Sequence, residues 1–405
     1  MLWAQRTGIG LTARSGGHSY AGYSATAGLL VDLGQLERVK VNRGDGTVTV
    51  GAGARNTDVY AGLQPHDVAI SAGRCPTVGI SGLTLGGGFG FSSRMLGLTA
   101  DSLVRTRVVT ASGETLVCDE RSHPDLFWAC RGGGGGNFGI NTEFTFRTTP
   151  VGKVAVFQLN WDWQDTPAAF DAVQALIMRA PNAFSCRIGG GTDGRTRQQT
   201  TARRQISALG QYFGGARELR ELLEPVLRTA RPRRVLIEDR TFWQAKDFFY
   251  HSVPSGRYAV SSHYLDRPLP ERGVEDFMEA VDAWPGSSNP DGAGMAVFAW
   301  GGAIADTGPR ETAFIHRSAR FLLAVETTWA AQDKAPLVRA NTRWLSELNR
   351  ALEPYGNGSA YQNFIDPDLR DWRRAYYGAN YRRLTEVKRT YDPGDFFSFP
   401  QSIQG

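Results

Sequence analysis

The sequence predicts an α+β protein in two domains, and three observations carry that expectation. The chain is 405 residues long, more than one ordinary core accommodates. Its first third consists of short β-rich runs broken by glycine, whereas from about Val151 strands alternate with amphipathic helices. Hydrophobic residues at 41% and aromatics at 11% suffice for well-packed interiors. The expected division puts residues 1–150 and the Tyr- and Asn-rich tail 356–405 in one domain. Residues 151–355 form the other, an antiparallel sheet covered by helices.

Each element follows from its local pattern. "GLLVDLGQLERVKVNRGDGTVTVGAG" holds two strand-like runs around a turn at Asn42–Gly46. "NTDVYAGLQPHDVAIS" predicts a helix capped by Asn56 or Thr57, then a strand ending near Ser71. "DSLVRTRVVTASGETLVC" alternates apolar and polar residues about Ser112–Gly113, which predicts a hairpin. Beyond Val151, "VAVFQLNWDW" reads as a strand and "TPAAFDAVQALIMRAP" as a helix capped by Thr166. "ARELRELLEPVLRTA" is amphipathic through Leu219, Leu222, Leu223 and Leu227. "GMAVFAWGGAIA" and "ARFLLAVETTWA" read as long strands.

Composition excludes several function classes. The net charge is +5, and the basic residues, nearly all arginine with five lysines, are scattered among acids rather than clustered, which argues against nucleic acid as partner. No run of about 18 apolar residues occurs, so no membrane span is expected. The N-terminus lacks a charged start followed by an apolar run, and the expected location is cytoplasmic. The richness in arginine points to a high-GC bacterial genome. Cys75, Cys118, Cys130 and Cys186 show no C-x-x-C spacing, and most read as buried thiols. His18, His66, His123, His251, His263 and His316 show no zinc-site spacing, and no metal is expected. G-x-S-x-G, the serine hydrolase elbow, is absent.

Two glycine clusters remain, "VGISGLTLGGGFG" from Val78 and "CRGGGGGNFGINTEF" from Cys130. Gly134, Gly136 and Gly139 satisfy G-x-G-x-x-G, but "GINTEFTFR" continues as a strand where a dinucleotide fold needs a helix. Glycine-rich backbone still suits a flat ring or a pyrophosphate, since exposed N–H groups bind oxygens and no Cβ intrudes. "ARSGGHSYAGYS" sets His18 in a similar nest, open to three readings: a loop histidine, a metal ligand or a cofactor anchor.

Taken together, "RSGGHSYAGYS", "GRCPTVGISGLTLGGGFGFSSRMLGLTADSL", "AFIHRSARF" and the tail from "AYQNF" to "FPQSI" resemble the berberine-bridge-enzyme-like FAD-linked oxidases. The resemblance implies the vanillyl-alcohol-oxidase, PCMH-type FAD-binding fold with residues 151–355 as the substrate domain. It implies FAD joined covalently at its 8α-methyl to His18 and at C6 to Cys75, both residue types being nucleophiles. It further implies flavin contacts from Arg14, Ser15, Gly16, Gly17 and Ser19, and from Val78, Gly79, Gly82, Gly86, Gly87, Gly88 and Gly90. Asn137, Gly139, Ile140, Asn363, Tyr377 and Asn380 complete that set.

Tyr361 matches the family's catalytic base, and Glu326 stands near a substrate-facing position. A phenol titrates near pH 10 and needs neighbours to act as a base. Phe364 stands where many members carry a second tyrosine. The implied activity is oxidation of a hydroxyl or activated C–H by hydride transfer to flavin N5, with molecular oxygen reduced to hydrogen peroxide. The small-molecule substrate is expected to be a secondary-metabolite scaffold, or alternatively an oligosaccharide, stacked on Trp161, Trp163, Trp243, Phe248, Phe249, Tyr250 and Trp300. Members carry further strands and a helix ahead of the segment matching Gly10; this chain starts within that helix, which implies an N-terminally truncated cofactor domain. A non-catalytic flavoprotein is the alternative of another class.

Overall fold

The computed structural model describes residues 1–193, 204–250 and 256–405; His251 lies outside them. The chain divides into two compact units, one of Met1–Gly152, Ala303–Arg317 and Pro367–Gly405, the other of Lys153–Gly302 and Ser318–Asp366.

The first unit opens with helix α1 (Leu2–Thr7) and the parallel pair β1 (Leu11–Arg14) and β2 (Leu29–Asp32). The expected turn at 42–46 joins β3 (Val39–Asn42) to β4 (Thr47–Gly51), and Gly46 supplies the left-handed residue at φ 66°. Helix α2 (Asn56–Leu63) starts one residue earlier than a cap at Asn56 requires. Arg55 is the N-cap, its N–H donates to Asp58 Oδ2 at 2.8 Å, and Asn56 is free to reach elsewhere. The strand expected up to Ser71 shrinks to β5 (Val68–Ala69).

The first glycine cluster contains one short helix, α3 (Ile80–Leu85), rather than open loop, and α4 (Ser93–Leu96) follows just beyond it. The hairpin at Ser112–Gly113 joins β6 (Leu103–Val109) to β7 (Thr115–Cys118). Helix α5 (Pro124–Ala129) and the second glycine cluster lead into β8 (Ile140–Arg147) and β9 (Thr149–Pro150). A strand thus follows Gly139, as expected, and the five-stranded sheet runs β3-β4-β8-β6-β7. Val48 and Val50 of β4 and Phe144 and Phe146 of β8 are fully buried.

The second unit is a seven-stranded antiparallel sheet in the order β13-β10-β12-β11-β15-β16-β14. Its strands are β10 (Lys153–Trp161), β11 (Phe184–Thr192), β12 (Arg204–Tyr212), β13 (Arg234–Thr241), β14 (Arg257–Leu265), β15 (Ala293–Ala299) and β16 (Phe321–Trp329). Its helices are α6 (Thr166–Arg179), α7 (Ala216–Thr229), α8 (Phe242–Phe248), α9 (Glu271–Asp282) and α10 (Ala335–Leu352). Alternation along the strands splits the sheet into two faces.

Phe157, Leu159, Ile188, Ala208, Val297, Leu323 and Val325 join Leu219, Leu223, Phe277 and Leu348 of the helices in one core. Burying each large side chain stabilises by about 1.5–3 kcal/mol. The register puts Gln158, Asn160, Arg187, Ser207, Ser262 and Glu326 on the other face. Trp161 and Trp163 pack with the helix-side core and Trp243 and Phe249 are buried, so these are not the stacking platform expected of them. Phe248 lies under the Arg240 guanidinium at 5.2 Å, and Tyr250 is exposed.

The chain exchanges between units differently from the expected boundaries, for local reasons. Residues 303–317 belong with the first unit because Arg317, 3% exposed, makes a bidentate ion pair with Asp101 at 2.7 and 2.8 Å. Residues 356–366 stay with the second unit because they run along the edge of β14. Asn357 N donates to Tyr264 O, Tyr264 N to Ser359 O, and Tyr361 N to Ser262 Oγ. Only from Pro367 does the tail return, carrying α11 (Trp372–Tyr377) and α12 (Tyr381–Tyr391).

Candidate active site

In the first unit the loop after β1 and the loop before α3 are pressed together. A Cβ on Gly16 would stand 2.2 Å from Gly79 N, and one on Gly79 would stand 2.3 Å from Gly16 N, so only glycine fits at either position. Ser15 Oγ and Ser81 Oγ both donate to Ala52 O, at 2.7 and 2.6 Å, fixing the two loops to one carbonyl. His18 Nε2 then meets Thr77 Oγ1 at 2.8 Å, and Thr77 is two residues beyond Cys75. Sequence-predicted His18 and Cys75 therefore belong to one cluster.

Their states suit nucleophiles. Burial, and secondarily the Arg55 guanidinium, hold His18 below the usual imidazole range, so the ring is neutral near pH 7. Cys75 is half-buried, whereas Cys118, Cys130 and Cys186 are buried. Burial pushes Cys118 up to about 12 and Cys130 up to about 11, so both remain thiols.

The glycine clusters meet each other. Gly134 N donates to Leu85 O at the end of α3, and both Gly87 and Gly132 back onto Phe314, with positive φ of 105° and 118°. Gly86 caps α3, and Gly88 and Gly90 pack on Thr99 and on Ala72 O. Gly82 faces open space. Gly139 packs on Val108 and Val109 as Ile140 enters β8. Around His18, Gly17 takes φ 76°, Ser19 Oγ accepts from Tyr23 N, and Arg14 pairs with Asp32 at the surface.

Three expected contact residues also brace the loops internally. Asn137 Nδ2 donates to Gly133 O and Gly134 O while its Oδ1 accepts from Ile403 N. Asn380 Nδ2 donates to Pro309 O, Thr312 O and Ala313 O. Tyr377 is buried with its hydroxyl against Gly134, and burial raises its titration.

Sequence reasoning missed the residue beneath this loop. Lys388 is wholly buried and donates to Asn137 O, Phe397 O and Asp392 Oδ2 at 2.6–2.7 Å. The signal was present: one of only five lysines, four residues before an aspartate on a helical pattern.

The second unit holds the other candidates. Tyr361 is 1% exposed; its ring neighbours Trp300 at 6.4 Å and Phe364 at 5.1 Å. Asn363 Nδ2 donates to the Tyr361 hydroxyl at 3.0 Å, so these two predicted residues do meet. Glu326 is exposed on the sheet face away from the helices, with Val260 and Gly294 as its strand partners.

FAD fits the first unit on these observations. Asn56 Oδ1 and Thr84 Oγ1 are buried with no hydrogen-bond partner among the described residues, and Gly82 leaves its side of α3 open. A neutral imidazole and a half-buried cysteine stand in the same cluster.

Comparison with known proteins agrees. Residues 1–119 match the FAD binding domain family, and residues 360–404 match the family described as berberine and berberine like. The whole chain is 34% identical to the FAD-linked oxidoreductase YgaK of Bacillus subtilis, spanning 87% of that protein. It is 28% identical to the chitooligosaccharide oxidase of Gibberella zeae, over 98% of this chain and 82% of that one. The structure of Physcomitrella patens BBE-like 1 matches 99% of this chain and 87% of its own with TM-score 0.88 at 30% identity. The chain belongs to the berberine-bridge-enzyme-like FAD-linked oxidoreductases, with their PCMH-type fold.

Proposed function

We propose that this enzyme carries FAD on two covalent bonds, from His18 to the 8α-methyl and from Cys75 to C6, and oxidises a hydroxyl on a secondary-metabolite-type substrate. Oxygen is the final acceptor and hydrogen peroxide the product. The observation that carries the reading is the His18–Thr77 hydrogen bond, which sets the histidine two residues from Cys75 on a loop that glycine packing admits. When bound, FAD supplies the acceptor for a hydride.

The chain's residues handle the rest. Tyr361 Oη takes the substrate hydroxyl proton, and the Asn363 amide, donating to that oxygen, favours its deprotonated form. Glu326 offers a polar contact on the open sheet face. The aromatic surround of Tyr361, from Trp300 and Phe364, suits a phenolic or allylic alcohol. Similarity to a chitooligosaccharide oxidase favours an oligosaccharide as the second reading.

Peptide mapping of the denatured protein, together with a peroxide-monitored panel of aromatic alcohols and oligosaccharides, tests the proposal. Flavin on both the His18 and Cys75 peptides and peroxide from the aromatic set are expected. Flavin that is wholly released on denaturation would sink the double attachment, and turnover of sugars alone would select the second reading.

A further inference from the structure

We propose that Asn56 is the positioning residue that aims Cys75 at the flavin, an inference resting on the double-attachment reading above. The loop from Gly73 to Val78 has its carbonyls held by the start of α2. Asn56 Nδ2 donates to Gly73 O at 3.3 Å and to Cys75 O at 2.9 Å, and Asn56 N donates to Val78 O at 2.9 Å. Thr57 N donates to Pro76 O at 3.0 Å, and the Tyr60 hydroxyl to Gly73 O at 2.9 Å. On its other side the loop meets His18 through Thr77. No capping side chain takes the first amides of α2; the cysteine loop itself accepts from them.

Asn56 is fully buried, and both amide hydrogens are committed to loop carbonyls. An isosteric aspartate would present a carboxylate to two carbonyl oxygens, and leucine would leave both without that donor. Either change frees the Cys75 backbone and with it the direction of Sγ.

The step being aimed is balanced as follows. Cys75 Sγ forms a C–S bond to the C6 ring carbon of the flavin. The thiol proton and the displaced ring hydrogen both leave as protons, and the released electron pair passes by way of the flavin to molecular oxygen, giving hydrogen peroxide. A carbon–sulfur bond needs Sγ at near-attack distance and angle, which a pinned loop supplies and a loose one does not. The His18 bond is made from the loop after β1, which Ser15 anchors to Ala52 O apart from Asn56.

The test compares wild type, Asn56→Leu, Asn56→Asp and Tyr60→Phe by peptide mass mapping after denaturation, with iodoacetamide labelling of the native protein. Wild type is expected to carry flavin on both peptides. Both Asn56 variants should keep the His18 adduct while the Cys75 adduct falls at least about tenfold and the thiol becomes alkylatable. Tyr60→Phe, which removes one of the two donors to Gly73 O, should lose less and covers the case in which an Asn56 variant fails to fold. An undiminished Cys75 adduct in Asn56→Leu, or in Tyr60→Phe if that variant alone folds, overturns the inference. So does loss of both adducts in folded protein, which would mean general support rather than aim. Absence of the Cys75 adduct from wild type overturns the double-attachment reading instead, and the inference with it.

Discussion

The glycine-rich loops of the first unit and the Tyr361 segment of the second reach rigidity by opposite means. Around Gly16, Gly79, Gly132 and Gly134 the chain is held by backbone touching backbone, braced from beneath by Asn137 and the buried Lys388–Asp392 pair. Around Tyr361 the constraints are side chains: Ser262 on the amide, Asn363 on the hydroxyl, Trp300 and Phe364 on the ring. Backbone contact fixes position without tuning chemistry, whereas side-chain contact does both. Substitutions in the first region should therefore cost stability or attachment, and those in the second should change rate and pH dependence.

Three substitutions would break or sharpen that contrast. Lys388→Met keeps bulk but strands Asp392, which has no exposure at all, and should cost about 3–5 kcal/mol in denaturant unfolding. A loss under about 1 kcal/mol would show that the pair is dispensable. Tyr361→Phe keeps both ring contacts, so stability should hold while anaerobic flavin reduction slows about 10²-fold; near-normal reduction removes Tyr361 as base. Asn363→Leu takes the donor away from the phenol oxygen, which disfavours its charged form. The rising limb of the reduction-rate profile should move about one pH unit to the alkaline side. An unmoved limb would mean that the amide orients the ring without tuning it.

Much of the fold was legible because the β hairpins about Asn42–Gly46 and Ser112–Gly113 carry their own turn chemistry, and the helices of the second unit carry clean apolar stripes. His18, Cys75 and Tyr361, the residues of the proposed site, were singled out through the motifs that surround them. What stayed hidden depends on contacts remote in sequence. Asn56 looked like a helix cap because asparagine before an apolar pattern usually is one, yet its partners lie 17 and 19 residues on. The tryptophans near Val151 looked like a substrate platform, but strand register turned Trp161 to the helix side. The unit boundaries at 303, 318 and 367 follow an Arg317–Asp101 pair 216 residues apart and an edge-strand pairing that no local pattern announces.

The three-piece make-up of the first unit carries a consequence for the order of events during biosynthesis. His18, Cys75 and both glycine clusters are translated before any residue of the second unit, while Lys388 and Asp392 follow all of it. The brace under Asn137 closes a gap of 251 residues, a late and slow contact by loop-closure entropy. The two proposed attachment residues thus emerge early into an unfinished cradle, which only the returning tail completes.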